Sequence, residues 1–128
     1  MNQQVIDGVS AIRLFVSSLE RAVEFYREKL GLRLTAQDES LYAVFQLHNV
    51  TLILEPVEST DAEFKELVAR FTGVSFGTAD IRSAYDRLSA AGVHFHRPPE
   101  KQVWGGILAH FHDPDHNVLT LVQPPPQS

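Results

Sequence analysis

Residues 17–31 read Ser17-Ser18-Leu19-Glu20-Arg21-Ala22-Val23-Glu24-Phe25-Tyr26-Arg27-Glu28-Lys29-Leu30-Gly31, and the order of the rest of the chain follows from them. Ser17-Ser18-Leu19-Glu20 offers a capping box, in which a hydroxyl and a carboxylate satisfy free amide groups at a helix start. Leu19, Ala22, Val23, Tyr26 and Leu30 then recur at helical spacing until Gly31 supplies a stop. The stretch predicts one amphipathic helix. Before it lies an apolar run of strand length beginning at Gly8-Val9-Ser10. After it come three extended segments, roughly 32–37, 41–47 and 50–55, separated by the turn residues Asp38-Glu39-Ser40 and His48-Asn49. The order is βαβββ.

The same order returns in the second half. Gly73-Val74-Ser75 repeats the earlier tripeptide ahead of another strand-length run. Asp80 is a natural N-cap for Ile81, Ala84, Tyr85 and Leu88, which share a face, and Gly92 ends the helix. Extended segments follow at about 93–96, 107–112 and 118–122, with breakers at Arg97-Pro98-Pro99, Gly105-Gly106 and Asp113-Pro114-Asp115-His116-Asn117. The expectation is an α+β fold of two tandem βαβββ modules, about 5–56 and 71–123, within a single domain spanning 1–128. Thr60-Asp61-Ala62-Glu63 is read as a second capping box, opening a connector helix over about 60–70 whose Phe64, Leu67, Val68 and Phe71 pack on one face. Pro124-Pro125-Pro126 cannot continue a sheet ladder, so the domain should end near Val122.

Composition narrows the chemistry. The chain has no cysteine, which excludes disulfides, thiolate metal sites and a cysteine nucleophile. Eleven basic residues against 16 acidic ones give a net charge of −5 with no Lys/Arg cluster, so nucleic acid is not an expected partner. No apolar run approaches the ~20 residues of a membrane span, and no secretory leader is evident, so the expected setting is the cytoplasm and no membrane. Nor is there a glycine-rich phosphate loop or a nucleophile elbow.

Ser18-Leu19-Glu20-Arg21-Ala22 running to Phe25-Tyr26, then Leu30-Gly31-Leu32, Ala79-Asp80-Ile81, Trp104-Gly105-Gly106 and Asp113-Pro114-Asp115 with Asn117 together resemble the vicinal oxygen chelate superfamily. That group holds glyoxalase I enzymes, extradiol dioxygenases and bleomycin-resistance proteins. The resemblance runs from about Val9 to Val122 and implies a concave, funnel-like mixed sheet with helices on its convex side. Metal-dependent members place four ligands on the first and fourth strands of each module. Counted from the motifs, those places fall on Ala11, Ile53, Gly73 and Thr120, none of which is a good ligand for a divalent first-row metal. The implied cofactor is therefore none.

Residues two apart on a strand share a face, so the same count predicts what lines the cavity. Arg13 and Phe15 follow from Ala11, Glu55 from Ile53, and His110 and His112 point away from the apolar Phe111. Arg13 is expected to be buried and paired with Glu55. Trp104, in a loop, is a candidate for stacking on a planar ligand. The expected ligand-binding set is Arg13, Phe15, Glu55, Trp104, His110, His112 and Thr120. His94 and His96 are read as surface residues, and Asp113 to Asn117 as turn chemistry.

The leading expectation is a metal-free, bleomycin-resistance-type protein that sequesters a drug or metabolite in the cavity between its modules, as in antibiotic resistance. The resemblance implies a homodimer. The alternative is a lyase, isomerase or dioxygenase of the same superfamily with a non-standard site. In that reading His110, His112 and Glu55 form a two-His, one-carboxylate metal set, or Glu55 or a His acts as general base with Arg13 stabilising an enolate.

Overall fold

The structure is a computed structural model and describes residues 5–126. The first module comprises β1 (Ala11–Val16), α1 (Leu19–Glu24), β2 (Leu34–Asp38), β3 (Tyr42–Gln46) and β4 (Thr51–Pro56). The second comprises β5 (Phe71–Gly77), α3 (Ile81–Ala90), β6 (His94–Phe95), β7 (Glu100–Lys101), β8 (Ile107–His112) and β9 (Val118–Gln123). Between them α2 (Phe64–Leu67) is a single turn.

The two modules have one topology. β1 lies parallel to β4 in a sheet of order β1-β4-β3-β2, and β5 lies parallel to β9 in a sheet of order β5-β9-β8-β6, with β7 pairing beside β6 on β8. Each module is hydrogen-bonded as its own sheet of four or five strands, and the α+β fold of two βαβββ modules is as expected. Helix α1 packs on β3 and β4, and α3 on β8 and β9. Leu14, Val16, Phe45, Leu52 and Leu54 of one sheet and Ala109, Phe111, Leu119 and Leu121 of the other fill a common core with Phe25 and Tyr26. Their alternation leaves Arg13, Phe15, Ile53, Glu55, His110 and His112 on the opposite faces.

Several local expectations are revised. Ser18 is the N-cap of α1 and accepts from the Arg21 amide, whereas Ser17 bonds Asp115. The helix leaves its α-helical path at Phe25 and runs through a π-helical turn, Phe25–Lys29, before Gly31 at φ +73° ends it. Asp80 caps α3 as expected, through the Ser83 amide at 3.1 Å. The connector is shorter than expected: Asp61 bonds the Glu63 amide in a turn, so the helix begins only at Phe64. Phe71 belongs to a strand and is exposed, leaving Val68 as the connector's buried anchor. The repeated tripeptide is not the mark of the duplication. Setting the two N-caps, Ser18 and Asp80, in register places Ala11 opposite Gly73, while Gly8 lies in exposed chain before β1.

A clasp holds the modules together. Asp113 is buried and accepts from the Tyr26 hydroxyl, the Asn117 side chain, and the amides of Asp115 and Asn117. Asn117 also donates to the Phe15 carbonyl at 2.9 Å and accepts from the Ala69 amide at 2.8 Å. Asp115 takes the amide and hydroxyl of Ser17. The run read as turn chemistry thus joins β1, α1 and the connector to β8 and β9, with His116 in the left-handed region at φ +65° making the tight return.

Candidate functional site

On the open face of the first sheet, the register sets Arg13 opposite Ile53 and Phe15 opposite Glu55. Arg13 reaches diagonally to Glu55: Nε donates to Oε2 at 2.5 Å and the terminal nitrogen to Oε1 at 3.0 Å, a two-pronged guanidinium–carboxylate pair. The guanidinium also stands 5.3 Å from the Phe15 ring centre. The pairing is as expected but the burial is not, because the Arg13 side chain is 58% exposed and that of Glu55 27%. Hydrogen bonding to Arg13 holds the Glu55 carboxyl below its ordinary value and raises the Arg13 guanidinium. A carboxylate so held is a poor general base.

On the second sheet, His110 and Thr120 face each other across the β8–β9 ladder, with Nδ1 and Oγ1 at 2.9 Å. Thr120 is buried, so its hydroxyl is committed to that contact. Phe71 meets the His110 ring edge to face at 5.6 Å. His112 pairs with His94 across β6–β8, and their rings stack 5.8 Å apart. His96 stands 5.6 Å from His112 and 6.5 Å from His110, and His116 4.9 Å from His112. Five of the six histidines therefore form one patch. The sequence concealed it, because the cross-strand register that brings His94 and His96 beside His110 and His112 is a tertiary fact, although His-x-His on two neighbouring strands was a readable hint. Burial, then the neighbouring imidazoles of His116, His96 and His94, push the His112 pKa below 6.5.

Trp104 takes no part in either group. Its ring lies against Gly106, where an added β-carbon would meet it at 1.9 Å, and 52% of the residue is exposed. A cavity of about 540 Å³ lies at the module seam between the end of the first helix and α3, floored by Leu32, Phe76, Leu88 and Phe111. None of the seven expected residues lines it. The structure thus joins Arg13, Phe15 and Glu55 on one sheet and His110, His112 and Thr120 on the other.

The four places where superfamily metals are held do not fit one. At the positions that the resemblance assigns to metal ligands, Ala11, Ile53 and Gly73 carry no side-chain donor atom, and the Thr120 hydroxyl is in contact with His110. The alternative set of His110, His112 and Glu55 is not assembled either: Glu55 stands on the other sheet, bound to Arg13. Among the described residues, no group of three or more His, Asp or Glu is placed to hold a metal ion. Among them too, no helix is long and apolar enough to cross a membrane.

The fold agrees with what the chain is similar to. Residues 8–121 match the Glyoxalase/Bleomycin resistance protein/Dioxygenase superfamily, and the chain belongs to it. It is 32% identical over 120 residues to the uncharacterized protein YraH of Bacillus subtilis (strain 168), covering 86% of this chain and 93% of that one. Among solved structures it resembles a member of the same superfamily from Sphaerobacter thermophilus DSM 20745, with a TM-score of 0.77 and 28% identity over 94% of this chain and 100% of the other. It also resembles TnmS3, an antibiotic binding protein from Streptomyces sp. CB03234, with a TM-score of 0.75 and 28% identity over 95% and 99% of the two chains.

Proposed function

We propose that this protein binds a small organic molecule without metal and acts by sequestering a drug or metabolite. The observation that carries the reading is a substitution of chemistry at fixed strand positions. Where the superfamily's metal ligands would stand, the chain has apolar or committed residues. Beside them it presents a guanidinium, a carboxylate and an aromatic ring in contact with one another. Such a group orients a ligand with anionic or hydrogen-bonding substituents and an aromatic body. The antibiotic-binding protein from Streptomyces supports this choice over catalysis. The exposure of Arg13 supports a homodimer in which a second copy covers the open face and completes the cleft.

The test is a thermal-shift screen with aromatic antibiotics and anionic metabolites. A ligand that prefers the native state raises the melting temperature in proportion to the logarithm of its concentration above Kd. At least one compound is expected to do so in metal-free buffer. A panel without any shift, or shifts that appear only on adding a divalent metal, would overturn the reading.

A further inference from the structure

A second cavity, of about 350 Å³, opens where α1 and its π-helical turn meet the edge of the second sheet. Arg21 and Lys29 stand on the helix side, and His94, His112 and His116 on the sheet side. We propose that this cavity is a site for a small oxyanion, the phosphate or sulfonate group of a metabolite, held by Arg21 and Lys29 from one module and by His112 and His116 from the other. The proposal is independent of the ligand face around Arg13.

The charge inventory carries it. The α1 wall brings two permanent cations and one acid, Glu24; β6 brings His94 and the nearby His96; β8 and the following turn bring His112, Asp113 and His116. Asp113 keeps its charge and offsets part of this set, but Tyr26, Asn117 and two backbone amides occupy both its oxygens, so it forms no ion pair with Arg21, Lys29 or the imidazoles and leaves an excess of cationic groups. Among the described residues the ion pair is Arg13–Glu55, so neither Arg21 nor Lys29 has an acidic partner within salt-bridge distance. The Lys29 ammonium lies over Gly92, 3.2 Å from where a β-carbon would be, on the cavity wall. Ring centres 4.9 to 5.8 Å apart mean that His112 cannot gain a proton without meeting His94, His96 or His116. An anion among them reverses that cost. A metal ion would meet an ammonium and a guanidinium instead, which favours the anion.

Sulfate is a suitable probe because it stays a dianion between about pH 5 and pH 8, where imidazoles titrate. Imidazole resonances of untagged protein are followed over that range in sodium chloride and in sodium sulfate at equal ionic strength. Sulfate is expected to raise the titration midpoints of His112 and His116 while leaving His48, which lies outside the patch, unchanged. Arg21→Gln and Lys29→Gln should each weaken the sulfate effect by about tenfold, the scale of one lost charged hydrogen bond. Arg13→Met should leave it intact. Equal midpoints in the two salts, an equal shift at His48, an undiminished response in both helix variants, or loss of the response in Arg13→Met would each overturn the proposal.

Discussion

Tyr26 of the first module donates its hydroxyl to Oδ2 of Asp113 in the second at 2.8 Å, with both side chains sealed from solvent. Burial is the largest influence on each. It pushes the tyrosine well above its ordinary pKa, aided by the Asp113 charge, and raises Asp113 against the pull of its hydrogen-bond donors. The pair lies at the centre of the clasp that Phe15, Ser17 and Asn117 complete.

Tyr26→Phe removes one donor from a buried carboxylate and should lower stability by about 1–3 kcal/mol, the cost of an unsatisfied buried polar group. Urea denaturation checks it. An unchanged midpoint would show that the modules are held by apolar packing alone.

His112 should make stability depend on pH on the acid side of neutrality. Its neutral form is favoured in the fold, so its folded pKa lies below the unfolded value of 6.5. The contribution is then complete above that value and is lost as pH falls through it toward the folded pKa. Melting temperatures measured from neutral to mildly acidic buffer should fall, and His112→Gln should flatten the slope. An unaltered slope would contradict this.

Gly106→Ala places a methyl group inside the volume of the Trp104 ring. Trp104 is the only tryptophan, so its fluorescence reports the displacement directly. The emission should shift to the red as the ring moves into water, and an unshifted spectrum would mean that the loop absorbs the change elsewhere.

Arg13→Met should leave the melting temperature almost unchanged, since a largely exposed ion pair contributes little to folding. Affinity for any compound found in the thermal-shift screen should fall roughly tenfold, as expected for the loss of a charge-assisted hydrogen bond. Equal dissociation constants would remove Arg13 from the site.

The elements that the sequence revealed are those set by local chemistry. Asp80 and Gly92 bracket α3, and strand alternation, phased by the resemblance, put Phe111 inward and Arg13 on the face it shares with Glu55. What it concealed depends on how segments meet. Gly8-Val9-Ser10 imitates Gly73-Val74-Ser75 without occupying the equivalent place, and no periodicity distinguishes the π-helical turn at Phe25 from an ordinary helix end. The reach of Asp113 to Tyr26, 87 residues away, is likewise invisible locally, so the Asp-Pro-Asp run looked like a turn and nothing more. Arg13 was placed on the right face with the wrong burial, because alternation specifies direction and says nothing about what covers the sheet.

The claim that the site works without metal is tested most directly by elemental analysis of protein purified in the absence of chelators and without a histidine tag. Nickel, zinc, manganese and iron should all be present far below one equivalent per chain. One equivalent of any of them, retained through gel filtration, would contradict the account and return the protein to the metal-dependent members of its superfamily.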